Sequence, residues 1–267
     1  MDVTNKIAVV TGGGQGIGRG VALALARHGA GVIVADINLA RATSVAQEVA
    51  ETGRDSMACL ADVTKQDSID RMVEEVLDRF GRIDILINNA GTYAAPGFEE
   101  RDEANEDDWD MLYEVNVKGI VRVTGAVKRG MKERRYGKIV NIASIAGRQG
   151  GAGNPPYNVS KAGVISFTQA SALELASYGI NVNAICPGLL WTPMWERIAY
   201  RRSVSPIENP DDLSPRMLFD HAVEATIPLK REQTPEDIGN LAAFLASDYS
   251  RNITGQAINV DGGTMFH

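Results

Sequence analysis

The stretch Lys6-Ile-Ala-Val-Val-Thr-Gly-Gly-Gly-Gln-Gly-Ile-Gly18 joins a short apolar run, largely β-branched, to a glycine-rich turn. Residues 6–10 have the composition of a buried parallel strand. Residues 21–26 are apolar and predict a helix that ends near Gly29. In this order of strand, turn and helix, glycines let backbone N–H groups approach a diphosphate, and the helix adds its positive end. The stretch therefore predicts a dinucleotide-binding turn.

The second predicted strand, residues 31–35, ends in Asp36. A carboxylate at this distance from the turn accepts hydrogen bonds from the hydroxyls of an adenosine ribose, and it repels a 2′-phosphate. Neither Gln15 nor Ile37 supplies a cation. Arg41 is the one residue that argues for a phosphate, and we expect it a turn into the next helix. The sequence therefore favours NAD over NADP.

Strand and helix alternate along the rest of the chain. Further strands are predicted at residues 56–61, 83–87, 138–142, 181–186 and 256–260, and further helices at residues 39–51, 66–80, 109–133, 157 to about 178, and 234–246. Short connections between such elements imply parallel strands with right-handed crossovers. We predict an α/β fold: a single doubly wound, Rossmann-type domain over residues 1–267, with a seven-stranded parallel sheet and helices on both faces.

Polar and small residues follow several predicted strands. Asp62 and Val63 follow the third strand, and Asn89, Ala90 and Gly91 follow the fourth. Ligands of doubly wound sheets bind at the carboxyl ends of the strands, so these residues are predicted to line the adenine and ribose side of the site. The alternative for each residue singly is an ordinary strand-ending turn in which a side chain bonds to the local backbone.

Composition excludes several classes of function. The formal net charge of −7 and sequence pI of about 5.1 argue against nucleic acid or an anionic membrane surface as the main partner. No apolar run approaches the roughly 20 residues of a membrane span, and the first motif begins within about ten residues, leaving no room for a signal segment. Cys59 and Cys186 lie in strand-like runs outside any metal-ligand spacing, which predicts buried free thiols in a reducing compartment. We expect a cytoplasmic protein.

Two segments depart from the alternation. Residues 92–110 are rich in acidic side chains and predict a solvated loop that leads into a helix beginning at Trp109. Residues 189–226, called the lid below, are rich in proline and predict an irregular insertion after the sixth strand. An insertion at that place is expected to cover a substrate. The alternative is an excursion into solvent without substrate contact.

Tyr157 and Lys161 stand four residues apart before the apolar, helix-like residues 162–175. Residues at i and i+4 share one helix face, so phenol and ammonium are expected side by side. A neighbouring cation favours phenolate and lowers the pKa of a tyrosine, which makes a general acid/base. Taken alone, the two residues fit an ordinary exposed helix face better than a catalytic pair.

Five motifs together resemble the short-chain dehydrogenase/reductase family. They are Thr11-Gly-x-x-x-Gly-x-Gly18, Asn88-Asn-Ala-Gly91, Ser144, Tyr157-x-x-x-Lys161 and Pro187-Gly188. They occur in the family's order and usual spacing over essentially the whole chain. The resemblance implies an NAD-dependent oxidoreductase that passes a hydride between nicotinamide and a secondary alcohol or ketone, without a metal.

The resemblance also implies roles for individual residues. Tyr157 would exchange the proton with the substrate oxygen, Ser144 would orient that oxygen, and Lys161 would lower the pKa of Tyr157 and hold the nicotinamide ribose. Asn116, buried in the predicted helix 109–133, would hold a water molecule of a proton relay. The residues predicted to contact the cofactor are Gly12, Gln15, Gly16, Ile17, Gly18, Asp36, Ile37, Asp62, Val63, Asn89, Ala90, Gly91, Tyr157, Lys161, Pro187, Gly188, Leu190 and Thr192.

The substrate is predicted from the start of the lid. Thr192-Pro-Met-Trp195 followed by a long insertion resembles members that act on small diols, hydroxyketones and polyols. Trp191 and Trp195 can wall a compact pocket, and Gln149 and Asn154 can bind hydroxyl groups. The residues predicted to contact the substrate are Ser144, Arg148, Gln149, Asn154, Tyr157, Trp191 and Trp195.

Three alternatives remain open at this point. Arg148, Arg197, Arg201 and Arg202 suit a substrate with a carboxylate, sulfonate or phosphate. A 3-oxoacyl thioester reductase is a second alternative, against which Asp36 argues because such enzymes commonly prefer NADP. A nucleotide-sensing scaffold without turnover is the third, although such a protein would be expected to lose the tyrosine or the lysine. The apolar faces of the predicted helices 109–133 and 157–178, with family habit, suggest a homotetramer.

Overall fold

Strands and helices alternate along the part of the chain that the computed structural model describes, residues 1–205, 209 and 211–266. Residues 206–208 and 210 of the lid and His267 lie outside the described residues. The described strands are Ile7–Thr11 (β1), Gly31–Asp36 (β2), Ser56–Leu60 (β3), Ile85–Asn88 (β4), Gly137–Ile142 (β5), Ile180–Pro187 (β6) and Ala257–Val260 (β7). The described α-helices are Gly16–Arg27 (α1), Leu39–Glu51 (α2), Gln66–Phe80 (α3), Glu106–Leu112 (α4), Gly119–Arg134 (α5), Pro155–Leu175 (α6), Pro193–Ser203 (α7), Pro215–Thr226 (α8) and Pro235–Ala246 (α9).

The seven strands form one parallel sheet in the order β3-β2-β1-β4-β5-β6-β7. The chain first builds outward from β1 through β2 to β3 and then returns to the other side of β1 with β4. The predicted α/β fold with a doubly wound sheet is therefore confirmed. In such a sheet a crevice opens at the carboxyl ends of the strands where the strand order reverses, here between β1 and β4.

Each face of the sheet has its own apolar core, because successive side chains of a strand point to opposite faces. Ala8 and Val10 join one core with α1, α2 and α9. Val9 joins the other core with α3, α5 and α6. β2 is buried at all 6 positions, as expected of a strand covered on both sides. The predicted helices on both faces are thus confirmed.

Cys59 and Cys186 are both buried and unbonded, as predicted. Among the described residues, no group of three or more His, Cys, Asp or Glu side chains is placed to hold a metal ion. No helix in the described part of the chain is both long enough and apolar enough to cross a membrane.

The helix predicted at residues 109–133 is present as a continuous helical segment, but its predicted start is wrong. It begins at Glu106, where Asn105 and Asp108 form a reciprocal capping box. A π-helical turn, Tyr113–Lys118, then separates α4 from α5. The acidic first turn hid the start of the helix because it carries no apolar period, although acidic side chains suit a helix N-terminus.

The predicted solvated loop at residues 92–110 is also wrong, because part of it is core. Phe98 is 2% exposed and Asp108 is fully buried. The Asp108 carboxylate accepts two hydrogen bonds of 2.9 Å from Arg101 and one of 2.8 Å from the backbone N–H of Ala95. These bonds hold residues 95–108 together as one folded segment after β4.

The described lid is helical and not irregular as predicted. Each of its helices begins with a proline directly after a capping side chain, Thr192 for α7 and Ser214 for α8. Proline at the first helical position starts a helix and does not break it. The buried ring of Phe219 on α8 packs against Trp191 and Trp195 and joins the two helices.

Candidate active site

A cleft of about 890 Å³ opens at the carboxyl ends of the strands, where the strand order reverses. This volume lies within the range of small-molecule sites. All eighteen residues predicted to contact the cofactor line the cleft, and so do Ser144, Gln149, Asn154 and Trp195. Asn116, Arg148 and Trp191 do not line it.

The glycine turn at the start of α1 has the shape of a diphosphate cradle. Gly12 and Gly16 have φ angles of 60° and 53°, which side chains rarely tolerate. A Cβ at Gly12 would lie 2.8 Å from the Cα of Ala90, so only glycine lets the turn approach β4. Gln15 places no side-chain cap on α1, which leaves the first N–H groups of the helix for a ligand. The turn therefore fits a dinucleotide diphosphate.

Asn89 holds this turn from the neighbouring strand. Its side-chain amide donates to the carbonyl oxygens of Thr11 and Gly12 at 3.0 and 2.8 Å. Its backbone N–H donates to the Thr11 hydroxyl at 3.1 Å. Asn89 was predicted to touch the cofactor. The structure gives its amide a positioning role for the turn.

The Asp36 carboxylate is fixed at the edge of the cleft. It is 8% exposed, and it accepts hydrogen bonds of 2.9 Å from the backbone N–H groups of Gly14 and Asn38. Arg41, expected a turn away from the site, also lines the cleft. It is the third residue of α2, and its backbone N–H donates to the Asn38 side chain. The cleft is thus lined by Asp36 and by Arg41 near the predicted ribose position.

Asp62 and Val63 both line the cleft beyond Asp36. One carboxylate oxygen of Asp62 accepts from the backbone N–H and the hydroxyl of Thr64, at 2.9 and 2.7 Å. The strand-ending Asx turn that the sequence left open is therefore present. It directs Asp62 to the cleft.

Tyr157 and Lys161 lie one helical turn apart in α6, with both side chains on the cleft. The helix begins two residues before Tyr157, at Pro155, because Asn154 caps it. Lys161 is 5% exposed. Its ammonium group lies 5.7 Å from the centre of the Tyr157 ring and donates to the carbonyl oxygen of Ile142 at 2.9 Å. Phenol and ammonium therefore stand together, as the spacing predicted.

Burial sets the protonation of this pair in the protein alone. Burial raises the pKa of Tyr157 to about 12; the Ser144 hydroxyl opposes this and the Tyr93 phenol adds to it. Burial lowers the pKa of Lys161 to about 8. Removing a group from water favours its neutral form, which for Tyr157 is the phenol. The lowering of the pKa of Tyr157 by Lys161 and the oxidised cofactor stays a prediction.

Ser144 follows β5 at the start of a 3₁₀ turn, Ile145–Gly147. Its hydroxyl accepts from the backbone N–H of Ala146 at 3.1 Å and keeps its own proton for another acceptor. A Cβ at Gly147 would lie 2.5 Å from the backbone of Lys161. Glycine at 147 therefore lets this turn press against α6, which brings Ser144 beside Tyr157.

Asn116 lies in the π-helical turn and is 1% exposed. Its amide pairs with both backbone groups of Thr92, at 2.8 and 2.9 Å, and donates to the Ser160 hydroxyl at 3.0 Å. A Cβ at Gly91 would lie 3.2 Å from its amide oxygen and 3.6 Å from the Lys161 ammonium. Asn116 thus ties the segment after β4 to α6 close to Lys161. The relay water stays a prediction.

Asn154 lines the substrate end of the cleft, as predicted, and is also bound by the protein. Its amide oxygen accepts from the backbone N–H of Tyr157 at 3.3 Å, and its amide nitrogen donates to the carbonyl oxygen of Tyr93 at 2.8 Å. These bonds fix the amide, and its contact with a substrate hydroxyl stays a prediction. Residues that line this end without having been predicted include Tyr93, Met111, Met194 and Ile198, and Arg202, predicted for an anionic substrate, lines it too.

Trp191 and Arg148 were predicted at the substrate and lie elsewhere. The Trp191 ring is 5.1 Å from the ring of Phe219, with the guanidinium of Arg216 above it at 5.0 Å. Arg148 donates to the backbone carbonyl of Ala257 on β7. Both side chains support the frame around the cleft.

Two of the lid arginines join α7 to the segment after β4. Arg197 forms an ion pair with Glu99. Arg201 donates to the carbonyl oxygens of Arg101 and Asp102, and its guanidinium lies 4.6 Å from the ring centre of Phe98. Arg202 differs, because it lines the cleft 5.6 Å from the ring centre of Trp195.

Comparison with known proteins gives full-length matches. A family model described as enoyl-(acyl carrier protein) reductase matches residues 12–265. Galactitol 2-dehydrogenase of Agrobacterium fabrum is 41% identical over 268 residues, 98% of each chain. Subunit BbsD of (2S)-[(R)-hydroxy(phenyl)methyl]succinyl-CoA dehydrogenase of Thauera aromatica is 39% identical over 263 residues, 98% of each chain. The crystal structure of levodione reductase superposes with a TM-score of 0.88 at 31% identity, covering 97% of each chain.

These matches span nearly the whole chain and include the motifs on which the resemblance rested. They agree with the parallel sheet and with the cleft at its carboxyl edge. The chain belongs to the short-chain dehydrogenase/reductase family and is an oxidoreductase that acts on alcohol or ketone groups.

Proposed function

We propose that this protein transfers a hydride between NAD(H) and a small secondary alcohol or ketone that carries further hydroxyl groups, such as a diol, polyol or sugar-like compound. Members of the family typically use NAD or NADP. One observation carries the proposal: Ser144, Tyr157 and Lys161 stand in the wall of the same cleft as the glycine turn and Asp36.

Tyr157, Ser144 and Lys161 have different roles in the reaction. The Tyr157 phenolate takes the proton from the alcohol as the carbon loses its hydride, and the phenol so formed returns that proton when a ketone is reduced. The Ser144 hydroxyl donates to the same substrate oxygen. Lys161 has N–H groups beyond the one bound to Ile142 and offers them to ribose hydroxyls. When bound, the nicotinamide exchanges the hydride, and its positive charge in the oxidised form favours the phenolate.

The cofactor preference rests on Asp36. Its fixed carboxylate suits two ribose hydroxyls and repels a 2′-phosphate. Arg41 acts in the opposite direction at the same edge of the cleft, so the preference for NAD is expected to be finite. The glycine turn and the uncapped start of α1 suit the diphosphate.

The substrate class rests on the size and polarity of the other end. Tyr93, Met194 and Trp195 wall it with apolar surface, whereas Ser144 and Gln149 offer hydrogen bonds. The similarity to galactitol 2-dehydrogenase supports a hydroxylated substrate.

A second candidate is an acidic or thioester substrate. Arg202 supports it as the lid arginine that lines the cleft, because a guanidinium pairs with carboxylates and phosphates. The relative from Thauera is a dehydrogenase of a succinyl-CoA compound. Cytoplasmic location remains part of the proposal and is tested by cell fractionation.

The test is NADH formation at alkaline pH with a panel of polyols, vicinal diols, hydroxy acids and hydroxyacyl thioesters. Turnover of neutral diols or polyols supports the first candidate, and turnover of the acidic or thioester compounds alone supports the second. Tyr157→Phe is expected to lower kcat by a factor on the order of 10²–10⁴ while NAD affinity, measured by calorimetry, stays the same. Tyr249→Phe is the control, because Tyr249 is 73% exposed and lies outside the cleft. Turnover of Tyr157→Phe at the wild-type rate contradicts the proposal.

A homotetramer is proposed from exposed apolar side chains on the helices between β4 and β6. Those exposed by more than a third are Trp109, Tyr113, Val121, Val159 and Leu173. Apolar surface of this kind marks protein contacts when it is contiguous. Sedimentation velocity gives the oligomeric state, and a monomer at micromolar concentration contradicts the proposal.

A further inference from the structure

Tyr93 is an aromatic residue that touches the ring of Tyr157. The two ring centres are 5.0 Å apart, with 51° between the planes. On another side Tyr93 meets Phe98 edge to face, with centres 5.6 Å apart. Phe98 is 2% exposed, so Tyr93 stands between a core ring and Tyr157 and has little room to move away.

The backbone of Tyr93 is fixed relative to Tyr157 by one buried side chain. Asn154 is 4% exposed, and its amide binds the carbonyl oxygen of Tyr93 and the backbone N–H of Tyr157. The preceding residue, Thr92, has both backbone groups bound by Asn116. These bonds determine the distance between the segment after β4 and the start of α6. The ring contact follows from that distance.

The contact has two physical consequences for Tyr157. The Tyr93 ring restricts rotation of the Tyr157 side chain and keeps water from one side of its phenol. Tyr93 also contributes to the raised pKa of Tyr157. Burial disfavours a negative charge on the Tyr157 oxygen, and a negative charge on the neighbouring Tyr93 oxygen disfavours it further.

We infer that Tyr93, held by Asn154, is a positioning residue for Tyr157 and limits the size of the substrate group that can lie beside it. The inference rests on the proposed role of Tyr157 as acid/base. Tyr93 lines the cleft next to Tyr157, so a smaller side chain at this position leaves space for a larger substrate substituent.

Steady-state kinetics with NAD and two diols, butane-2,3-diol and 1-phenylethane-1,2-diol, tests the size limit. Tyr93→Ala is expected to raise the kcat/KM ratio of the phenyl diol to the small diol by about tenfold. It is expected to lower kcat for the small diol by about tenfold, because Tyr157 loses its orientation, while KM for NAD stays the same. Tyr93→Phe keeps the ring and should retain the wild-type ratio.

Ultraviolet titration of Tyr157 supplies a readout without a substrate. The absorbance of tyrosinate is followed in each protein and in the same protein carrying Tyr157→Phe, and the difference reports Tyr157. In Tyr93→Ala the Tyr157 midpoint should move to lower pH, because the phenol gains water and loses a neighbouring phenol. Tyr249→Ala, which changes an exposed tyrosine outside the cleft, should move neither the midpoint nor the ratio.

Asn154→Ser separates positioning from folding. Serine can cap α6 as asparagine does, but its side chain is too short to hold Tyr93 as well. It should lower kcat in the same direction as Tyr93→Ala with little change in the thermal midpoint. An unchanged size ratio and an unchanged Tyr157 midpoint in Tyr93→Ala overturn the inference. Wild-type protein that turns over no alcohol overturns the proposed function instead, and the titration still decides the role of Tyr93.

Discussion

The two ends of the cleft are held by different kinds of interaction. At the cofactor end, short main-chain turns set the shape of the cleft. For example, the backbone N–H of Gly14 in the glycine turn donates a hydrogen bond to the Asp36 carboxylate. At the substrate end, side chains join separate segments, as where Arg197 of α7 meets Glu99. A short main-chain turn has few alternative conformations. An ion pair or hydrogen bond between side chains, in contrast, can break without unfolding either of the two segments that it joins. We therefore expect changes at the first end to alter cofactor choice and changes at the second to alter substrate affinity.

Lys161 lies where the two ends meet, and its removal has the largest expected effect. Lys161→Met should lower kcat/KM by about thousandfold, because Tyr157 loses its neighbouring cation and the ribose loses a donor. Both the rate of the chemical step and the affinity for NAD should fall, whereas a variant at only one end of the cleft should lower only one of them. Lys128→Met is the control, since Lys128 lies on α5 in an exposed ion pair with Glu174. Activity of Lys161→Met within a few-fold of wild type contradicts the assignment.

The same variant tests the pKa of Lys161 through stability. Burial lowers this pKa from 10.5 to about 8, so between these values the unfolded chain binds a proton that the folded chain has released. The group therefore makes the free energy of unfolding rise with pH in this window. In Lys161→Met that rise is absent. Denaturant unfolding should show the variant losing about 3 kcal/mol relative to wild type from pH 8 to pH 10.5; a constant difference would show that the pKa is not lowered.

Asp36→Asn is expected to change the cofactor end alone. Without the charge, repulsion of a 2′-phosphate disappears and Arg41 can attract it. The ratio of kcat/KM for NAD to that for NADP should fall by about thirtyfold, which corresponds to about 2 kcal/mol. KM for the alcohol should stay the same. Asp55→Asn is a control at an exposed carboxylate before β3, and an unchanged ratio in Asp36→Asn removes the argument for NAD.

The sequence was a good guide to the fold and to the cofactor end for one physical reason. A residue at the carboxyl end of a parallel strand has its place set by the strand, so Asp36 at the end of β2 and Asn89 directly after β4 could be located without knowing their neighbours. The same holds for Tyr157 and Lys161, whose spacing within one helix fixes their common face. The reach of Arg41 was underestimated although the start of α2 was predicted correctly, because Arg41 lies in the first turn of this helix.

The substrate end could not be predicted in the same way, because its side chains take their direction from tertiary contacts. Trp191 and Trp195 look equivalent in sequence, and both pack against Phe219, but only Trp195 of the two lines the cleft. The sequence at Asn154 indicated a group that binds substrate, but it could not show that its amide also binds the backbone of Tyr93 and Tyr157. No sequence pattern indicated a role for Tyr93, apart from its position two residues after the Asn88–Gly91 motif.

The ion pair between Arg197 and Glu99 is expected to give the smallest effect and the sharpest test of the difference between the two ends. Its side chains are 46% and 21% exposed, so its contribution to stability is about 0.5 kcal/mol. A double-mutant cycle of Arg197→Ala and Glu99→Ala should give a coupling energy of that size in denaturant unfolding. Because the pair joins α7 to the segment that carries Tyr93, KM for the alcohol should rise about twofold in either single variant, with NAD affinity unchanged. The exposed pair Arg129 and Glu133 on α5 is the matched control, and its cycle should leave KM for both ligands unchanged. If breaking the pair between Arg197 and Glu99 alters NAD affinity as much as it alters KM for the alcohol, then the two ends of the cleft are mechanically coupled and not independent.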